Sequence, residues 1–132
     1  MRDKIRHKSI FFLSHTFLSH TLLSHTSDLG QTVWVPHVDI YRQASSWLVK
    51  CELAGVKPED MTVSAQGSRL TISGVRRDPL AERGWEHYSM EIPYSRFACS
   101  AALPENLEEA DVESEYRDGM LLVRVRFNEK DR

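Results

Sequence analysis

VESEYRDGMLLVRVRF, residues 112–127, holds two runs joined by Asp118-Gly119. The second run sets Leu121, Val123, Val125 and Phe127 on one parity and Arg124 and Arg126 on the other. A period of two marks a strand with one buried face, because successive side chains point to opposite sides of the pleat. Asp-Gly accommodates positive φ at both central positions of a type I′ turn, so the two runs read as an antiparallel hairpin.

The same period recurs upstream. WLVKCEL (47–53) puts Trp47, Val49, Cys51 and Leu53 on one face and Lys50 and Glu52 on the other. MTVSA (61–65) alternates Met61, Val63 and Ala65 with Thr62 and Ser64, and LTISG (70–74) alternates Leu70 and Ile72 with Thr71 and Ser73. The punctuation agrees: Gly67-Ser68 has the glycine first, as a type II′ hairpin requires, and Lys57-Pro58-Glu59-Asp60 is a turn with proline preset at its second position. Roughly seven short strands at this spacing predict an all-β fold, an antiparallel immunoglobulin-like β-sandwich, with at most a helical turn near residues 107–110.

At 132 residues the chain is expected to form one domain with a real core, plus a tail. Residues 1–27 hold Arg2, Lys4, Arg6 and Lys8 against Asp3, a charge of +3; the remainder has 13 basic and 18 acidic residues, a charge of −5. An acidic domain with scattered basic residues argues against nucleic acid as a partner. Cys51 and Cys99 stand in no metal-type spacing, which predicts free buried thiols in a reducing compartment such as the cytoplasm.

The tail carries FLSHTFLSHTLLSHT (12–26), three near-copies of one unit with His15, His20 and His25 equally spaced. On a helix five residues advance about 500°, so successive histidines lie about 140° apart around the axis. On a strand an odd period sends alternate histidines to opposite faces. Neither arrangement gathers three rings on one ion, so no metal site is expected. The basic start MRDKIRHK followed by apolar residues resembles the beginning of a secretory signal, yet Ser, His and Thr interrupt the stretch and no small-x-small site follows. It also falls short of the ~20 apolar residues of a membrane span, so no stable membrane association is expected.

The order and spacing of several motifs resemble the α-crystallin domain of small heat-shock proteins. They are WVPHVDIYR (34–42), LAGVKPEDMTVSAQGSRLTISGVRR (53–77) and LPENLEEADVESEYRDGMLLVRVR (103–126). The resemblance divides the chain into a flexible N-terminal tail at 1–32, the sandwich at 33–127 and a short C-terminal tail at 128–132. It implies an ATP-independent holdase, not an enzyme, that binds unfolding client proteins and associates with itself as a homodimer or small oligomer. It implies no cofactor. The alternative is a co-chaperone sandwich that docks an ATP-dependent chaperone.

The family also suggests sites. A groove that accepts client or tail segments would lie along Met61, Val63 and Ala65 on one strand and Val112, Ser114 and Tyr116 on another; ordinary inward-facing core is the competing reading for the first three. The loop VRRDPLAERGWEHYSM (75–90) would cross to a partner subunit, with Val38, Ile40, Trp85, His87 and Tyr88 at the dimer interface. The chain departs from the family pattern in EIPYSRFAC (91–99), where Ile92 and Cys99 replace usual arginines and Ser95 a usual glycine. The residues after Val125, RFNEKDR, contain no I-x-I motif, so assembly is expected to stop at a dimer or a small, polydisperse species.

Overall fold

The structure, a computed structural model, describes residues 3–6 and 33–128. The LSHT repeat lies outside the described residues, as do 129–132. The strands are β1 (Asp3–Arg6), β2 (Val38–Gln43), β3 (Ser46–Glu52), β4 (Met61–Gln66), β5 (Arg69–Val75), β6 (Arg96–Ala102), β7 (Ala110–Arg117) and β8 (Met120–Phe127). They form a five-stranded sheet in the order β1-β7-β8-β3-β2 and a three-stranded sheet β4-β5-β6, and every strand pair is antiparallel.

The turn chemistry read from the sequence is realised. Asp118 and Gly119 both have positive φ, 52° and 77°, and they join β7 to β8 with Arg117 opposite Met120. At Gly67-Ser68 only the glycine is positive, at 59°, and Gln66 pairs with Arg69, as in a two-residue II′ hairpin. Pro58–Asp60 forms a single 3-10 turn, and the turn expected near 107–110 is closed by the Ala110 N–H donating to the Leu107 carbonyl.

The core lies between the sheets. Val49, Cys51 and Leu53 of the β3 run and Leu121, Val123 and Val125 of β8 are buried on one side. Val63, Ala65, Leu70, Ile72, Phe97, Cys99 and Ala101 face them from the other. Each fully buried Val, Leu or Ile contributes roughly 1.5–3 kcal/mol of transfer free energy, offset by chain entropy. Trp47 is only half-buried, and its indole N–H donates to Glu105 Oε2 at 2.9 Å, so its polar edge is satisfied at the rim.

Two features depart from the sequence expectation. Ser64, Thr71 and Ser73 were assigned to the solvent face of their strands but are buried. They are short side chains on β4 and the central strand β5, where neighbouring strands screen them, and Arg69 spans the same sheet by donating to Ser100 Oγ at 2.8 Å. The second departure is β1, since no strand pattern precedes Val33. Its register sets Lys4 opposite Glu115 and Arg6 opposite Glu113, so opposite charges along the pairing, not alternating apolar residues, accompany this strand.

Candidate functional site

Nine large hydrophobic residues are exposed among the described residues, and all of them fall in two segments. Val35, Ile40 and Tyr41 lie on or just before β2; Leu80, Trp85, Tyr88, Met90, Ile92 and Tyr94 lie in the loop between β5 and β6. Protein surfaces scatter apolar residues singly, so the gathering of these residues in two segments makes them the candidate interaction surface of the described residues.

The β2 segment is an open sheet edge. β2 is hydrogen-bonded to β3 on one side and, among the described residues, has no strand on the other. From the expected dimer residues, Ile40 is exposed and Val38 is half-buried against the core. Lys50 on β3 donates to the Tyr41 hydroxyl at 2.8 Å and lies 3.7 Å from Asp39, which ties the polar side chains of the edge together. The hydrogen bond to Tyr41, and then its field and that of Asp39, hold the Lys50 ammonium above its ordinary pKa.

The loop is pinned at its base and open in the middle. The Arg76 N–H donates to the Ser95 carbonyl, and the Arg76 side chain donates from Nη1 to the Pro93 carbonyl at 3.3 Å. Its guanidinium stacks 3.7 Å from the centre of the Trp34 ring, and Trp34 meets Phe97 edge-on at 5.6 Å. Burial lowers the Arg76 pKa, and its Nε is buried without a hydrogen-bond partner. Beyond this clamp, residues 79–94 are all exposed. Apart from the 3-10 turn Ala81–Arg83 they form no helix or strand, so the loop does not add a strand to its own sheet. Trp85, Tyr88, Met90 and Ile92 instead line an open cleft of about 540 Å³. His87 lies in the same cleft, with Nε2 3.3 Å from Asp78 Oδ2, while His37 at the start of β2 lies 3.6 Å from Glu52.

The residues expected to border a groove are brought to the ends of the two sheets but are mostly core. Val63, Ala65 and Val112 belong to the buried apolar cluster and Ser114 is buried, which leaves Met61 and Tyr116 half-exposed. The Tyr116 hydroxyl donates to the Leu53 carbonyl at 2.7 Å, and burial raises its pKa. The outer edge of β7 carries β1, with Ile5 opposite Ser114. No strand pattern ahead of Val33 announced that occupant.

The thiols of Cys51 and Cys99 are free, buried and 3.4 Å apart across the sandwich. Sequence spacing concealed this contact, since the two residues are 48 positions apart. Their common inward parity on β3 and β6 was the available signal.

These features define an antiparallel β-sandwich of a five-stranded and a three-stranded sheet, with a long loop bearing exposed apolar residues between β5 and β6 and a β7 edge that pairs with β1. The Hsp20/alpha crystallin family model matches residues 39–132, and the chain belongs to this family of small heat-shock proteins, which are chaperones. It is similar to small heat shock protein C4 of Rickettsia felis, 26% identical over 97 residues that cover 74% of this chain and 60% of the relative. It is also similar to the 19.0 kDa class II heat shock protein of Oryza sativa, 32% identical over 64% of this chain and 51% of the relative. The chain thus spans little more than half the length of these curated relatives.

Among solved structures, heat shock protein 16.0 of Schizosaccharomyces pombe superposes with a TM-score of 0.65 at 26% identity, covering 75% of this chain and 92% of that one. A small heat-shock protein from Xylella fastidiosa, described as having a distinct high order structure, gives 0.60 at 25% identity and covers 74% and 89%. No helix among the described residues is long and apolar enough to cross a membrane.

Proposed function

We propose that this protein is an ATP-independent holdase that works as a symmetric dimer, or a small assembly of dimers, and limits the aggregation of unfolding proteins. The observation that carries the reading is the confinement of the nine large hydrophobic residues exposed among the described residues to the β2 edge and the 76–95 loop. The two surfaces are complementary in kind. Among the described residues, one is a strand edge with no strand beside it, and the other is a segment with aromatic side chains that joins no strand of its own chain. Exchange of loops across a two-fold axis satisfies both at once, because each protomer supplies one edge and one loop. Val38, Ile40, Trp85, His87 and Tyr88 fall in this interface. Family membership supports the chaperone role, and the high order described for the Xylella fastidiosa relative supports self-association.

Client capture is assigned to the groove and the tail. The edge of β7 accepts an extended segment in strand addition, as its pairing with β1 illustrates. A client segment entering there would replace β1 and meet Met61 and Tyr116, the two groove residues that retain exposure.

The test is suppression of heat-induced aggregation of a model enzyme, measured by light scattering with and without ATP. Suppression near stoichiometric ratios, unchanged by nucleotide, is expected. Strict dependence on ATP, or a strictly monomeric mass with no suppression, would replace the holdase reading with that of a co-chaperone docking an ATP-dependent chaperone.

A further inference from the structure

We propose that Cys51 and Cys99 form a dithiol site at which hydrogen peroxide introduces a disulfide that ties the two sheets of the sandwich together. The proposal goes beyond the holdase reading and does not rest on it.

Four observations carry the inference. The sulfurs lie 3.4 Å apart, so closing to the ~2.05 Å of an S–S bond takes a movement of about 1.4 Å. The residues sit on opposite sheets, Cys51 on β3 and Cys99 on β6, where inter-sheet disulfides of β-sandwiches are found. They are the only two cysteines of the chain, so neither has a competing intramolecular partner. Finally, among the described residues β6 is an edge strand whose outer side carries no strand but the isolated bridge to Trp34, through the Trp34 N–H to the Arg96 carbonyl and the Ala98 N–H to the Trp34 carbonyl. Opening of that edge would give a small oxidant access to Cys99 while β3, flanked by β8 and β2, keeps Cys51 in place.

The chemistry balances without another reactant. The Cys99 thiolate attacks a peroxide oxygen, the O–O bond breaks, and the departing hydroxide takes the thiol proton, leaving a sulfenic acid and one water. The Cys51 sulfur then attacks the sulfenic sulfur, the S–O bond breaks, and its proton leaves with the hydroxyl as a second water. Two thiols lose one electron each and the peroxide gains two. Either thiol can donate the hydrogen bond between the two sulfurs, and burial opposes ionisation of both, so it is the place of Cys99 on the edge strand β6 that makes it the first to react.

The staple has a definite mechanical consequence. β3 carries the bare edge strand β2, and the chain of the 76–95 loop runs directly into β6. A bond between Cys51 and Cys99 therefore fixes the relative position of the two surfaces assigned to the dimer. It also closes a segment of 48 positions in the unfolded chain, which in the chain-entropy account raises the folded-to-unfolded ratio by about a thousandfold.

The experiment treats the reduced full-length protein with hydrogen peroxide under native conditions, then alkylates remaining thiols in denaturant and reads the intact mass. The expected product has lost two hydrogens and taken up no alkylating agent. It yields one cross-linked peptide pair containing residues 51 and 99, runs as a single chain on a non-reducing gel, melts at a higher temperature, and reverts with dithiothreitol. Closure should be slower in urea than in buffer. Retention of two alkylatable thiols, a covalent dimer, sulfinic acid at either residue, or closure that occurs only in denaturant would each overturn the proposal. Cys99→Ser and Cys51→Val should each abolish the peroxide-induced melting shift. If both variants fail to fold, the comparison of wild-type rates in buffer and urea still decides the matter.

Discussion

Replacing Trp85 by serine tests the dimer surface most directly. The residue is 69% exposed, so the single chain gains little from its packing and the variant should fold with an unchanged melting temperature. A tryptophan buries about 150–250 Å² when fully covered, so covering its exposed part removes roughly 100–170 Å² from water. At about 25 cal/mol per Å² this is roughly 2.5–4 kcal/mol for each protomer before ordering costs. Immobilising the side chain and its loop offsets about 0.5–1.5 kcal/mol of that gain. A two-fold interface loses both copies together, so the net deficit is on the order of 4 kcal/mol. Even if the serine variant recovers half of it by repacking, the dimer dissociation constant rises about thirtyfold. Sedimentation equilibrium over micromolar concentrations measures this, with thermal melting of the same samples as a control. An unchanged dissociation constant beside an unchanged melt would show that the 76–95 loop is not the dimer contact. A collapsed melt would show that Trp85 packs on its own chain.

Three further perturbations probe the frame that holds these surfaces. Gly74→Ala would drive a Cβ into the carbonyl oxygen of Asp60 and bring it to 2.8 Å from the Phe97 ring, and the 3-10 turn Pro58–Asp60 limits retreat. A loss of about 2 kcal/mol or more by urea unfolding is expected, and a neutral result would mean that the Asp60 turn moves freely. Tyr116→Phe removes a donor to the Leu53 carbonyl, which still accepts from the Val56 N–H, so the cost should be only about 1 kcal/mol; a cost above about 3 kcal/mol would be inconsistent with that remaining bond. Deleting residues 1–27 removes β1, so β7 amides that face it should lose hydrogen-exchange protection while β3 and β8 keep theirs; unchanged protection in β7 would show that the edge does not hold β1 in solution.

The sandwich was legible because its information is local. A buried face with period two and turns that demand positive φ are both written within a few residues, and Asp118-Gly119 and Gly67-Ser68 show the φ angles that their chemistry requires. What escaped is non-local. β1 has no apolar alternation of its own and is readable only once Glu113 and Glu115 are known to stand on an adjacent edge. The burial of Ser64, Thr71 and Ser73 depends on where β4, β5 and β6 fall in their sheet, which no single strand reveals. The approach of Cys51 to Cys99 depends on how two sheets face each other.

The candidate site divides along the same line. The groove residues Met61, Val63, Ala65, Val112, Ser114 and Tyr116 came from the family resemblance, while strand parity supplied the competing core reading for the first three. Parity finds inward-facing positions without separating a core from a groove, so it could not foresee that four of the six are buried. The dimer residues also came from the resemblance, to which Trp85 and Tyr88 add large amphipathic rings suited to an interface. In the 75–90 loop the sequence places Trp85 and Tyr88 where no period of two or of helical type gives them an inward direction, and the structure leaves both exposed. A large ring that its own fold does not bury contributes little to that fold, so another surface is needed to cover it. The bare edge of β2, flanked by Ile40 and Tyr41, is such a surface and lies on the sheet opposite the one from which the loop departs. The loop joins β5 to β6 within its own sheet, and its clamp at Arg76, Pro93 and Ser95 holds both ends at that sheet's margin. In the proposed dimer, a second copy of the chain that brings its own β2 edge would cover both exposed segments with one symmetric contact.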